Sequence, residues 1–253
     1  MTALRQLSSL SVRAEPAEHA LDIILCALET KSGLRVAFAN THLLYHALTN
    51  RQLQEMLGSF LVLNDGVGLE LAARIACGEG FPDNLNGTDF VPRLLASTPA
   101  GKRVYLYGAR DEVAANAASA LARFNPHLSI CGFQHGYTQQ LDEAAIIGEI
   151  ARLEPDIVLV ALGNPYQEAW IARAAPHIPQ ATLIGVGALF DFMAGSVTRA
   201  PKWIQFARLE WLFRLAREPR RLWRRYTIEI IVVAFALLCA RLSTRRASAG
   251  ARV

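Results

Sequence analysis

The sequence predicts an α/β domain, a mainly parallel sheet with helices on both faces, followed by a basic, amphipathic C-terminal helical appendage. Three observations predict it. Six short apolar runs alternate with helix-like segments. The runs are continuously apolar, as in strands buried on both faces. Charge also divides sharply: up to residue 198 there are 13 basic and 19 acidic residues, a balance of −6, and beyond it 13 and three, a balance of +10. Residues 1–198 therefore read as a Rossmann-like, doubly wound domain and residues 199–253 as the appendage.

The elements follow in order. Pro16 to Lys31 reads as a helix with Ala20, Ile23, Ile24, Ala27 and Leu28 on one face and Gly33 as a stop. Arg35–Ala39 is the first strand, with a helix from about His42. Phe60–Leu63 is the second; it ends at Asn64-Asp65-Gly66, and a helix follows through Leu69, Ala72, Ala73 and Ile75. Arg103–Tyr107 is the third, with Gly108 at its end and a helix from Asp111 to Phe124. Leu128–Phe133 is the fourth, followed by an amphipathic helix from Asp142 to Leu153. Asp156–Ala161 is the fifth, ending at Gly163-Asn164-Pro165 before a helix from Gln167 to Ala175, and Thr182–Val186 is the sixth.

The appendage reads as helix from Trp203 to about Leu242, interrupted at Pro219. Arg214, Arg217, Arg220, Arg221, Arg224 and Arg225 lie among Trp211, Trp223 and Tyr226. Eleven apolar residues follow, Ile230 to Ala240. As a helix that run is about 16 Å long, against a hydrocarbon core of roughly 30 Å. It is too short to span and suits a helix lying in the membrane interface. Packing on the body or on another subunit is the alternative.

Composition excludes several classes. The chain has 253 residues, 52% hydrophobic and 19% charged, which is not the composition of a disordered chain. Its four cysteines lie far apart with no CxxC pair, which argues against a zinc ribbon or a disulfide framework and fits a reducing compartment. The N-terminus reads as lacking a signal peptide. There is no GxxxxGK[ST] loop, GxSxG elbow or HExxH, and Gly185-Val186-Gly187 is a weak dinucleotide signal. His42 and His46, four apart, read as a surface or core pair rather than a metal site. The absence of Asp-x-Asp removes the carboxylate pair that often holds a divalent cation on a nucleotide diphosphate.

In doubly wound sheets ligands bind beyond the carboxyl ends of the strands. The candidates there are Asn40 and Thr41, Asp65 and Gly66, Gly108, and Asn164. Asp65 could serve as a general base, or merely cap the next helix. Thr88 or Asp89 is a plausible helix cap, and that helix start could receive a phosphate. Gln167 and Glu168, in a first helical turn, are placed to hydrogen-bond a sugar or base, or simply to favour the helix dipole. The arginine cluster suits a lipid head group or diphosphate. Single-stranded nucleic acid is the rival, and the adjoining apolar run speaks against it.

In shared order these motifs resemble one family. They are Leu63-Asn-Asp-Gly-Val-Gly68, Asn86-Gly-Thr-Asp89, Gly108, Gly132-Phe-Gln-His-Gly-Tyr137, Leu162-Gly-Asn-Pro-Tyr-Gln-Glu-Ala-Trp170, Gly185-Val-Gly-Ala-Leu-Phe-Asp191, Arg199-Ala-Pro-Lys-Trp203 and Leu209 to Arg221. The sequence is similar to the WecG/TagA/CpsF glycosyltransferases over about residues 35–226. The resemblance implies an inverting transfer from a nucleoside-diphosphate sugar to a polyprenyl-diphosphate-linked sugar. It implies a peripheral enzyme at the cytoplasmic face of the inner membrane, early in surface-polysaccharide or exopolysaccharide synthesis. It makes Asp65 the catalytic base, Gln167 and Asn40 pocket residues, and Arg214, Arg221 and Arg224 ligands of the acceptor diphosphate. Asn84, Asp89 and Asp191 fall within its motifs as further binding candidates. It implies no metal. Phe38, Asn84 and Tyr166 differ from the family's usual Thr, Arg and Lys.

The expected partners are thus the donor, the lipid-linked acceptor and an anionic membrane surface, without nucleic acid and with room for a homo-oligomer. Two rivals stay open at this point: a membrane-bound adaptor with a degenerate nucleotide-binding body, and a nicotinamide-dependent reductase.

Overall fold

The computed structural model describes residues 4–137 and 142–250. An antiparallel hairpin, β1 (Leu4–Leu7) and β2 (Leu10–Arg13), comes first and was not expected from the apolar runs. Its strands are four residues each and carry no continuous apolar run. The body then alternates as β3 (Leu34–Ala39), β4 (Leu61–Asn64), β5 (Arg103–Gly108), β6 (Ser129–Gln134), β7 (Ile157–Ala161) and β8 (Thr182–Gly185). All six pair in parallel, in the order β4-β3-β8-β7-β5-β6, giving a Rossmann-like sheet. The chain leaves β3 for the β4 edge, then crosses to β5 and β6 at the far side. The crevice expected at such a reversal lies at the carboxyl ends of the central strands.

Side-chain alternation along each strand explains the layering. Val36 and Phe38 of β3, and Ile157 and Leu159 of β7, face one core. That core is closed by α1 (Ala17–Thr30), α5 (Gly87–Ser97), α6 (Asp111–Phe124) and α9 (Leu189–Met193). Ala37 and Ala39 face the other side, against the hairpin, α2 (Thr41–Thr49), α3 (Arg51–Leu57) and α4 (Val67–Cys77). Val158 and Val160 also face that side, against α7 (Glu143–Arg152) and α8 (Tyr166–Ala174). Apolar residues on both faces of a strand leave it stable only between two helical layers.

The appendage is more broken than one helix with a single interruption. It forms α10 (Lys202–Phe206), α11 (Glu210–Arg217), α12 (Pro219–Tyr226) and α13 (Ile228–Gly250). Pro219 opens α12, where its missing N–H costs nothing. The helix α13 packs against α4 and α2 and sinks Val233 and Leu237 into the core beneath them. Its opposite face, with Ile231, Phe235 and Leu238, stays exposed. Among the described residues no helix is long and apolar enough to cross a membrane.

Candidate active site

The carboxyl ends of β3, β5, β7 and β8 open into one cleft of about 1820 Å³, roofed by α11, α12 and the start of α13. Asp65 lines it from the turn after β4. The alternative role for this carboxylate was helix capping. Instead Gly66, at φ +86°, occupies the cap position of α4 without a side-chain bond, which leaves the carboxylate available. Asn84 Oδ1 accepts from Gly66 N at 2.9 Å, and Asn64 Nδ2 donates to the Asp83 carbonyl at 2.8 Å. The segment 83–84 is thereby stapled to the turn that presents Asp65.

Burial pushes the Asp65 carboxyl up to about 6. Arg225 and Arg214 pull it down, as does a hydrogen bond with the Asn40 side chain, while Glu210 raises it. Burial outweighs the two guanidiniums, so Asp65 is poised near neutrality. Arg225 is itself held below its ordinary range, first by burial and also by the like charge of Arg214. The Nε atoms of Arg214 and Arg225 are buried without a hydrogen-bond partner. Guanidinium donors placed this way suit an anion with several acceptor oxygens.

A polar wall continues from Asp65 along the ends of the central strands. Asn40 Oδ1 caps α2, accepting from His42 N and Leu43 N at 3.1 Å each. Its Nδ2 donates to Asn164 Oδ1 at 3.2 Å. Gln167 Oε1 accepts from Gly187 N at 3.0 Å. A Cβ on Gly185 would stand 2.7 Å from Gln167 Nε2, so glycine there is what lets this buried side chain lie flat on β8. The roof is pinned at two points. His42 Nδ1 lies 2.6 Å from Glu229 Oε2, tying α2 to α13. Arg199 donates to both Asp89 oxygens, at 2.5 and 2.6 Å, and lies 3.4 Å from Glu210 of α11.

Of the residues expected at the site, Asn40, Asp65, Asn164, Gln167, Asp191, Arg214 and Arg224 line the cleft together. Thr41, Gly66, Asn84, Asp89 and Gly108 do not. Gly66 and Asn84 brace the turn, and Asp89 is taken up by Arg199. The cap of α5 is Asn86, whose side chain accepts from Asp89 N, and not Thr88 or Asp89. Gly108 abuts β7, where a Cβ would stand 2.5 Å from the Ala161 carbonyl. Glu168 is buried behind the wall rather than in it. The side chain of Arg221 lies outside the described residues. Among those described, no group of three or more His, Cys, Asp or Glu is placed to hold a metal ion.

Sequence reasoning passed over Arg225. The signal was present: Arg225 lies three residues after Leu222, so both share the inward face of α12. It also passed over Glu229 and the cleft-lining position of His42 and His46, whose rings meet edge to face at 4.5 Å between centroids.

A family model described as "Glycosyl transferase WecG/TagA/CpsF family" matches residues 5–247. The chain belongs to the WecG/TagA/CpsF glycosyltransferase family. The match includes the N-terminal hairpin and α13, beyond the 35–226 legible from motifs. As a family member this protein is a glycosyltransferase, which sets aside the adaptor and reductase readings. Two relatives carry the same name, N-acetylglucosaminyldiphosphoundecaprenol N-acetyl-beta-D-mannosaminyltransferase. The protein of Bacillus subtilis strain 168 is 34% identical over 200 residues, 78% of this chain and 77% of the relative. That of Bacillus spizizenii strain W23 is also 34% identical over 200 residues, 78% of this chain and 76% of the relative. Two of the three positions that differ from the usual family residues line this glycosyltransferase's cleft: Phe38, which packs its ring edge-on to Phe90, and the exposed Tyr166.

Proposed function

We propose that this glycosyltransferase moves a sugar, with inversion, from a nucleoside-diphosphate sugar to a sugar carried on polyprenyl diphosphate. The observation that carries the reading is Asp65 in the cleft, opposite Arg214 and Arg225 of the appendage. Asp65 takes the proton of the acceptor hydroxyl as that oxygen attacks the anomeric carbon. The bond from that carbon to the donor diphosphate breaks, and the nucleoside diphosphate leaves with the electron pair. Buried guanidiniums stabilise charge where it develops on phosphate oxygens. Arg214, Arg225 and Arg224, with Arg221 of the same helix, make up the diphosphate-binding set. Asn40, Asn164, Gln167 and Asp191 orient the sugars.

These arginines supply the positive charge that a divalent ion supplies in other transferases, and turnover is expected to survive chelation. The relatives' name makes N-acetylmannosamine as transferred sugar and N-acetylglucosaminyl diphospholipid as acceptor the first pair to assay. The exposed Trp203, Phe206, Trp223, Ile231 and Phe235 beside the arginines support seating on an anionic membrane at its cytoplasmic face. The decisive experiment replaces Asp65 with Asn and assays transfer to a short-chain lipid diphosphate acceptor. Loss of turnover with an intact fold supports the assignment, and near-normal turnover removes Asp65 from the role.

A further inference from the structure

Glu168 is 0% exposed, and the reaction proposed above makes no use of it. Its Oε1 accepts from Asn164 Nδ2 at 2.7 Å and from Gln167 Nε2 at 2.9 Å. Its Oε2 is buried without a hydrogen-bond partner. The groups that hold this carboxylate are therefore amides rather than cations, a costly way to bury an acid.

The arrangement sets the sense of every amide between Glu168 and Asp65. A side-chain amide has one donor end and one acceptor end, and either can face a neighbour. Asn40 has no such freedom. Its Oδ1 accepts from two backbone N–H groups at the start of α2, so its Nδ2 must face outward, to Asp65 and to Asn164 Oδ1. Asn164 must then present its Nδ2 the other way, and the acceptor waiting there is Glu168 Oε1. Gln167 is turned by the same oxygen, so that its Oε1 meets Gly187 N. An acceptor at residue 168 is what both amides need.

We infer that Glu168 is a positioning residue of this transferase: by accepting from Asn164 and Gln167 it holds the Asn164–Asn40 chain in the sense that donates to Asp65. The inference rests on the reading of Asp65 as the base. It acts at a distance, because Glu168 does not line the cleft.

The test uses the full-length protein and two readouts, the titration of the Asp65 carboxyl carbon by NMR and the turnover of the lipid-acceptor assay. The variants are Glu168→Leu, which removes the acceptor, Glu168→Gln, which keeps an acceptor oxygen, and Asn164→Ala, which cuts the chain at the cleft wall. The charges facing Asp65, Arg225, Arg214 and Glu210, are unchanged in all three.

A donor favours the ionised carboxylate, so loosening Asn40 should raise the Asp65 midpoint by about half a unit in Glu168→Leu and Asn164→Ala. Turnover should fall about tenfold in both, with KM within about twofold, as expected for a misaligned base. Glu168→Gln should restore both readouts toward wild type. If Glu168→Leu does not fold, Asn164→Ala alone decides. A wild-type Asp65 titration and turnover in Asn164→Ala, or a Glu168→Gln protein as impaired as Glu168→Leu, overturns the inference. The NMR readout needs no substrate. An inactive Asp65→Asn protein combined with an unmoved titration in these variants would defeat the role of Glu168 and leave the base standing.

Discussion

Asp65 sits where an aspartate ordinarily caps a helix, and the geometry withholds that role because Gly66 takes the cap position. The carboxylate is left facing Arg225 and Arg214 in a setting where burial dominates. Two expectations follow at this scale. As a base Asp65 works deprotonated, so kcat/KM should rise with pH through about 6 and level off above it; a flat profile from pH 5 to 8 would contradict this. The same shift bears on stability. The folded state holds the proton up to about 6 and the unfolded chain releases it near 3.8, so stability present at low pH is lost as pH rises across that window. Asp65→Asn should therefore lose at least about a hundredfold in turnover. It should also be more stable than wild type at pH 8 by about 1–3 kcal/mol, the upper end being the shift without solvent discount. The gap should close below about pH 4, as thermal melts at both pH values would show.

At the scale of elements, the appendage is placed by a few specific ties. Arg199 bridges Asp89 of α5 and Glu210 of α11, and the fork to Asp89 is bidentate. Arg199→Ala should cost about 1 kcal/mol, more than an ordinary surface pair, because the fork is partly buried. It should also raise the acceptor KM severalfold, since α11 carries Arg214 over the cleft; an unchanged KM would mean that α11 is held without this tie. The anchor of α13 is apolar. Leu237, 1% exposed, sits in the core under α4 and α2. Leu237→Ala should cost about 2–4 kcal/mol, measured by denaturant unfolding.

At the scale of the whole molecule, the acidic body and the basic tail meet at one cleft. A net charge of +4 conceals this, because opposite balances lie on either side of residue 198. Removing everything after that residue would strip Val233 and Leu237 from the core, so surface substitutions test membrane seating more cleanly. Phe235, 69% exposed, lies on the outward face of α13. Phe235→Asp together with Ile231→Asp should reduce co-sedimentation with anionic vesicles at least about fivefold, since each loses buried apolar area and adds a repelled charge, while leaving the melting temperature within about 2 °C. Unchanged co-sedimentation would move the contact elsewhere.

The sequence by itself determined the six parallel strands, because unbroken apolar runs between helical patterns have one good way to be buried. It determined Asp65, Asn40, Asn164 and Gln167 as neighbours, because each follows a strand and strand ends converge. The hairpin β1–β2 stayed illegible, since four-residue strands packed by tertiary contact leave no periodic trace. The tail arginines were legible as a cluster but not individually. Which of them faces Asp65 depends on how α12 is rotated, and only Leu222 docking into the body settles that for Arg225. Glu168 is the sharpest case. A glutamate in a first helical turn reads as a favourable charge near the helix dipole, and only the packing of α8 on β8 turns it inward, where two amides become its sole partners among the described residues.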